Sequence, residues 1–231
     1  MRYFYSKNLD NKTQFAELAN NDKQHLFKTL RGQIGDDIGV LNGNGIIAKA
    51  KIIDKNCFEI ISLKEYSKPK TEMHIFLSMP KKQKIDFLLK QTTEVGVASI
   101  NPIVTTNTEF KYLAKYKSKW ELSLIEGCKQ SKNPFAPIIN EPISFNDAIN
   151  KVDNMQSFYG AVTENNNFKD IKFQKDLAWF VGPEGGFTEE EIKLMETSKI
   201  IPFNISPHIM RIETAVITGA NLLQNLACFR K

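Results

Sequence analysis

With 231 residues, 42% of them hydrophobic and 25% charged, the chain has the composition of an ordinary globular protein and can bury the core of one large or two small domains. No uninterrupted apolar run is long enough to cross a membrane, and the N-terminal MRYFYSKNLDNK lacks the apolar centre of a signal peptide. Net charge is +5 but uneven: residues 1–135 hold 22 Lys and Arg against 14 Asp and Glu, whereas residues 136–231 hold 9 against 12, so the front of the chain suits a polyanion unless its lysines are merely solvated.

Cys57, Cys128 and Cys228 are odd in number and far apart, which argues against a disulfide framework or a Cys-x-x-Cys metal site and fits a reducing cytoplasm. Residues 1–70 read as a small β-rich module. Arg2–Tyr5 is the expected first strand. Asn21–Arg31 is a short helix, capped by Asn21 or Asp22 and ended by Gly32. The Asn42-Gly43-Asn44-Gly45 turn lies between strands at 37–41 and 46–53, a strong hairpin signal, and a further strand covers 57–63. Gly43 and Gly45 also spell part of a dinucleotide fingerprint, but the third glycine and the following helix are missing. Lys64–Thr71, with Pro69, is a linker.

From Glu72 strands alternate with helices, the grammar of a mostly parallel sheet. His74–Leu77 is a strand, Lys84–Glu94 a helix with Ile85, Leu88 and Leu89 on one face, and Ser99–Ile103 the next strand. A helix over Lys111–Gly127 carries two stripes, Lys111, Lys115 and Lys119 beside Tyr112, Tyr116 and Trp120. Such a surface could grip and stack on RNA, but packing of the aromatics on the core with the lysines in water is the preferred reading. A helical core at Phe145–Ile149 and a strand at 157–162, ending at Thr163-Glu164, precede a polar loop at Asn165–Asn167. The buried strand Leu177–Val181 then breaks at Gly182-Pro183 and passes through Gly185-Gly186. It enters a helix marked by Thr188 and Glu191 at capping-box spacing. A strand–glycine turn–helix unit lets backbone N–H groups and a positive helix end approach a ligand closely. The loop Ile205–Arg211 leads into a final helix, Thr214–Phe229, that is apolar on nearly every side and so must be covered all round.

GPEGGF, followed about twenty residues later by MRIETA before an apolar helix, resembles the RsmE family of SPOUT methyltransferases. HLFKTLR with Gly35-Asp36 is similar to that family's PUA-like N-terminal domain, and KIDFLLKQTTEVGVASINPI to its lysine–Glu-Leu-Gly-Val–Pro pattern, with Val95 for leucine. The resemblance implies an α/β fold. A PUA-like RNA-binding β-barrel over 1–70 would precede a parallel-sheet, trefoil-knotted methyltransferase domain over 71–231. It implies S-adenosylmethionine as methyl donor, N3 of a uridine in 16S ribosomal RNA as acceptor and a homodimer, while the absence of a long apolar run and of His/Cys ligand spacing argues against membrane and metal. By the same resemblance the donor lies against Val181, Gly182, Pro183, Glu184, Gly185 and Gly186 and against Asn204, Ile205, Ser206, Ile209 and Met210. Arg211 is the catalytic candidate, because a fixed cation stabilises the charge on the uracil oxygens as the N3 proton leaves. Glu213 is expected to hold a backbone N–H or an arginine at the helix start, with proton acceptance as its other possible role. Arg2, Lys28 and Arg31 are the RNA-binding candidates. Gln130-Ser131 matches a family motif, yet Asn133 stands where an arginine is usual, leaving Lys129 or Lys132 to supply the charge. Ser206, His208 and Met210 also depart from the pattern. Two rivals stay open: the same fold acting on a ribose 2′-hydroxyl of another RNA, and an RNA-binding factor without activity. His25 and His74 are read as structural.

Overall fold

The alternating run Ile46–Ile52 pairs back onto Asp37–Leu41 through a turn held by one side chain. Asn42 Oδ1 accepts the amides of Asn44 and Ile46 at 2.8 and 3.0 Å, which sets the register from Leu41 opposite Ile47 to Asp37 opposite Lys51. This computed structural model describes residues 1–109, 114–162, 173 and 176–229. By internal contacts the chain divides into two compact units, Met1–Lys68 with Leu124–Ala136, and Pro69–Ser123 with Pro137–Lys231.

The first unit holds a five-stranded sheet built from β1 (Tyr3–Tyr5), β2 (Phe15–Ala16), β3 (Asp37–Leu41), β4 (Ile46–Ile52) and β5 (Phe58–Glu65), in the order β1-β3-β4-β5-β2. Only β1 and β3 run parallel. Ile46, Ala48, Ala50 and Ile52 turn one face of β4 into a core shared with Phe4, Leu26, Ile38, Val40 and Phe58. The single helix expected over 21–31 is instead α1 (Asn20–Gln24), without a side-chain cap, followed by a wider π turn at His25–Thr29. Leu30 N–H donates to His25 O at 3.0 Å, and this widening lets Leu26, Phe27 and Leu30 all reach the sheet. Residues 124–136 join this unit by backbone bonds from Gly45 N to Pro134 O (2.9 Å) and from Ala136 N to Gly43 O (2.8 Å).

The second unit is a parallel sheet with helices between its strands. In chain order it runs β6 (Met73–Leu77), α2 (Lys82–Val95), β7 (Ser99–Val104), α3 (Lys117–Ser131, shared with the first unit), β8 (Ile138–Ile139) and β9 (Ile143–Ser144). There follow α4 (Phe145–Lys151), β10 (Gln156–Gly160), β11 (Leu177–Val181), α5 (Glu189–Thr197), β12 (Ile201–Phe203) and α6 (Ile212–Phe229). The order is β12-β10-β11-β6-β7-β8, with β9 also on β7, and every pairing is parallel. β11 lies at the middle and is buried along its whole length, which is why its sequence is continuously apolar rather than alternating. The expected strand at 157–162 ends at Gly160, and the short strands β2, β8, β9 and β12 were not anticipated. Two or three residues are too few for a periodic signal.

The helix expected over 111–127 proves to be α3, preceded by a 3₁₀ turn at Ala114–Tyr116. Trp120 is buried with Tyr116 stacked on it at 5.9 Å, while Lys115 and Lys119 are exposed, as the packing reading required. Lys111, Tyr112, Thr163-Glu164 and Asn165–Asn167 lie outside the described residues. Among the described residues no helix is long and apolar enough to cross a membrane.

α6 covers β11. Val216, Gly219, Ala220 and Leu223 are buried, Trp179 Nε1–H donates to Ala215 O at 3.1 Å, and Gln224 Nε2 donates to Gly96 O at 3.1 Å, just past the end of α2. Ile217, Leu222 and Leu226 on the remaining faces are half-buried. A Cβ added at Gly219 would lie 2.3 Å from the fully buried Trp179 ring. Gly219→Ala should therefore destabilise the protein by about 1–3 kcal/mol despite the gain of about 1 kcal/mol in helix propensity. Urea denaturation measures this, and a stabilised variant would show that the two elements do not meet this closely.

Candidate active site

The first wall of the site is the turn leaving β11. It is closed by Gly186 N–H donating to Pro183 O at 2.9 Å, and Gly186 has φ of +72°, a conformation that side chains other than glycine rarely adopt. α5 then starts with the predicted capping box: Thr188 Oγ1 accepts Glu191 N–H at 3.2 Å, and Glu191 Oε2 accepts Thr188 N–H at 2.9 Å. The second wall is the loop between β12 and α6. Asn204 Oδ1 accepts Ser206 N–H and Ser206 Oγ accepts His208 N–H, both at 3.0 Å, so short polar side chains shape the backbone where the family pattern has a glycine.

These two segments border one cavity of about 880 Å³ in the second unit. Val181, Gly182, Pro183, Glu184 and Gly186 line it from one side, and Asn204, Ile205, Ser206, Ile209, Met210 and Arg211 from the other. Gly185 does not line it: its Cα faces Asn107, whose side-chain atoms lie 3.4–3.5 Å from where a Cβ would sit. Ile209 is 92% exposed at the loop, and His208 also borders the cavity. Arg211 is exposed at the start of α6, where its carbonyl accepts Ala215 N–H at 2.9 Å. A guanidinium at the positive end of a helix is unfavourable unless an anion comes near.

Two further lining residues were not among the site candidates, although Lys84 opens the KIDFLLKQ segment of the family pattern. Lys84, from the first turn of α2, places Nζ 2.8 Å from Glu213 Oε1, with the carboxylate side chain 13% exposed and the lysine 45%. That bond, against the cost of burial and with help from Arg211's charge, holds the Glu213 carboxyl below the ordinary glutamate range. The partner expected for Glu213 was a backbone N–H or an arginine. Its own amide and Arg211 do contribute, but the dominant contact is Lys84. A carboxylate so acidified is a poor proton acceptor at neutral pH. Tyr159, also on the cavity wall, donates its hydroxyl to Glu196 Oε1 at 3.2 Å. Burial first, then the Glu196 charge, pushes its pKa up to about 12, so it stays a phenol.

In the first unit Arg2, Lys28, Arg31 and Lys132 are exposed, and Lys132 Nζ lies 5.5 Å over the Tyr3 ring. Lys129 is a correction. Its side chain is 13% exposed and its ammonium holds Asp22 at 2.9 Å and Glu126 at 2.7 Å. Burial disfavours the charge, but the two carboxylates outweigh it and raise the pKa, so this cation is neutralised inside the unit. Asn133 Oδ1 accepts Phe135 N–H at 3.0 Å, a turn-forming role in place of a charge. His74 Nδ1 meets Ser99 Oγ at 2.8 Å.

Residues 67–224 match the family model described as an RNA methyltransferase domain. The Ribosomal RNA small subunit methyltransferase E of Aquifex aeolicus is 28% identical over 236 aligned residues, which cover 97% of this chain and all of that one. The protein of the same name from Buchnera aphidicola is also 28% identical, with 92% and 88% covered. Among solved structures, a Ribosomal RNA small subunit methyltransferase E from Neisseria gonorrhoeae bound to S-adenosyl methionine superposes with a TM-score of 0.87 at 23% identity, covering 98% of each chain. That likeness extends over both units and shows the fold.

The Lys84–Glu213 pair has a pH signature. Because the folded carboxyl is more acidic than in the unfolded chain, its stabilisation is complete above the ordinary glutamate pKa of 4.5 and is lost as pH falls below it. Lys84→Met should cost about 1 kcal/mol at pH 7 and progressively less towards pH 3, measured by urea midpoints across that range. An equal cost at both ends would mean that the lysine acts through its packing and not its charge.

Proposed function

Because this chain belongs to the RNA methyltransferase domain family, we propose that it transfers a methyl group from S-adenosylmethionine to N3 of a uridine in 16S (small-subunit) ribosomal RNA. The observation that carries the reading is the meeting of the 182–186 turn and the 204–211 loop around one cavity, although they are far apart in sequence. The relatives that match along nearly the whole chain bear the name of small-subunit ribosomal RNA methyltransferase E.

The cavity fits the donor. Its volume of about 880 Å³ lies within the usual small-molecule range of roughly 300–1,000 Å³. Backbone at Gly182 and Gly186 gives polar edges without side chains in the way, while Ile205, Met210 and Ala161 offer apolar surface for an adenine and a methionyl chain. When bound, S-adenosylmethionine supplies an electrophilic methyl group on a sulfonium. The protein's part is alignment and charge. Val181–Glu184 with Gly186, and Asn204–Ser206 with Ile209 and Met210, would hold the donor between them. Arg211 faces the cavity where loss of the N3 proton spreads negative charge over the two uracil oxygens, and its fork can address one of them. Lys84 pairs with Glu213 at 2.8 Å, so in this reading Glu213 anchors the start of α6.

The exposed Arg2, Lys28, Arg31 and Lys132 make the first unit, with its PUA-like strand content, the RNA platform of this reading. The half-buried Ile217, Leu222 and Leu226 of α6 suit a second copy of the chain, so the active form is a homodimer. A trefoil knot in the C-terminal part and a cytoplasmic location, where ribosomal RNA is found, belong to the same reading.

Three measurements test it. Nucleoside mapping of 16S ribosomal RNA from cells lacking the protein should show one N3-methyluridine missing; its persistence excludes the assignment. Arg211→Ala should slow methyl transfer about 100-fold or more while changing the Kd for S-adenosylmethionine less than about threefold, and equal losses would remove its catalytic role. Lys28→Ala and Arg31→Ala should weaken RNA binding across sequences and each lower the salt slope by about 0.7–0.9, as read by binding isotherms at several salt concentrations.

A further inference from the structure

The glycine turn has a second side, away from the cavity, and it is not bare. The segment after β7, Thr105–Thr108, lies against it. Asn107 Nδ2 donates to Gly186 O at 3.1 Å and to Gly185 O at 3.4 Å. Thr106 donates both its amide (2.8 Å) and its hydroxyl (3.1 Å) to Glu191 Oε1, while the other oxygen of that carboxylate closes the α5 capping box. Thr108 Oγ1 lies 2.9 Å from Ser78 Oγ and 2.9 Å from Thr105 Oγ1, and it accepts Thr105 N–H at 2.8 Å. Ser78 in turn donates its amide to Val181 O at 3.1 Å, one residue before the turn begins. The four-residue segment thus holds the turn at its tip and at the helix that follows, and touches Ser78, whose amide holds its entry.

We propose that Thr105–Thr108 is a brace for the cofactor turn, and that Asn107 is a positioning residue for methyl transfer, acting through the carbonyls of Gly185 and Gly186. The physical need is specific. With glycines at 185 and 186 the turn has few side-chain contacts to hold its shape, and Gly186 is in a left-handed conformation that an unbraced chain leaves readily. Two carbonyls drawn outward by one amide fix the orientation of both peptide planes. On the opposite edge of the first plane, Gly186 N–H is then kept on Pro183 O, so the turn holds its closed shape before any ligand arrives. Glu191 ties the same brace to α5, so the turn and the helix end move as one body. This rests on the cofactor site proposed above and adds a residue outside the cavity to it; Asn107 is not among the lining residues.

Asparagine, aspartate and alanine at this position separate donor from filler. Asn107→Asp keeps the size but turns a donor into a carboxylate facing two carbonyls. Asn107→Ala removes both contacts. The full-length protein is titrated with S-adenosylmethionine by calorimetry, and methyl transfer is measured on 16S ribosomal RNA. Asn107→Ala should raise the Kd and the KM for S-adenosylmethionine about 5- to 10-fold, the loss of one to two modest hydrogen bonds. Asn107→Asp should raise them further, and both variants should keep kcat within about threefold at saturating donor. Thermal melts taken without donor should shift by only a few degrees. Asn107→Asp behaving like the wild type, or a loss confined to kcat, overturns the proposal. If the wild type itself takes up no S-adenosylmethionine, the cofactor reading fails first and the brace falls with it.

Discussion

The approach of α6 to β11 at Gly219 is the constraint on which the second unit depends. Trp179 fills the middle of the central strand, and it is accommodated only because the helix above it has no side chain at that point and presents the Ala215 carbonyl to its indole N–H. The largest side chain of the sheet and the smallest of the helix form a matched pair. From that contact the rest follows by geometry. Once α6 lies over β11, its first turn stands beside the end of the strand, and the loop that precedes it is brought to the turn that follows β11. The cavity is the space left between these two exits, at the carboxyl ends of the strands, where open α/β sheets place their ligands.

The charges around that cavity divide the labour. Glu213 is committed to Lys84, which secures α2 to the start of α6 and takes a carboxylate out of the list of available bases. Tyr159 is likewise kept neutral by burial and by Glu196. Arg211 lies at the helix end where the macrodipole does not favour it, and the Glu213 carboxylate is the anion that offsets its charge. Glu184 and His208 border the same cavity, so its wall carries an anion and a titratable ring beside the cations.

Much of this was legible in the residues. Continuous apolarity at 177–181, the glycine turn and the Thr188–Glu191 spacing each report a local preference that the fold then keeps, so strand, turn and helix appear where they were expected. The hairpin at 42–45 was equally plain, because asparagine and glycine have few other uses in that pattern. What stayed hidden depends on distance. The Lys84–Glu213 pair joins residues 129 apart, and Thr106–Glu191 joins residues 85 apart; neither has a period or a spacing that marks it. Lys129 looked like any surface lysine of a basic segment, and only the presence of Asp22 beside it shows that its charge is spent internally. The π turn at 25–29 escaped because its apolar spacing is compatible with an ordinary helix, and the choice is made by how three side chains fit the sheet.

The bond between Lys129 and Asp22 has a bearing on how the chain matures. The first unit is not finished when residue 68 has been synthesised, since its remaining piece, Leu124–Ala136, is encoded beyond the whole of β6, α2 and β7. On a translating ribosome that strap emerges only after the opening elements of the second unit. The two units therefore ripen in an interleaved order and not one after the other. A gene fragment ending near residue 70 would leave Asp22 without its cation and Gly45 without the Pro134 carbonyl, so a cut at the apparent linker removes part of the first unit.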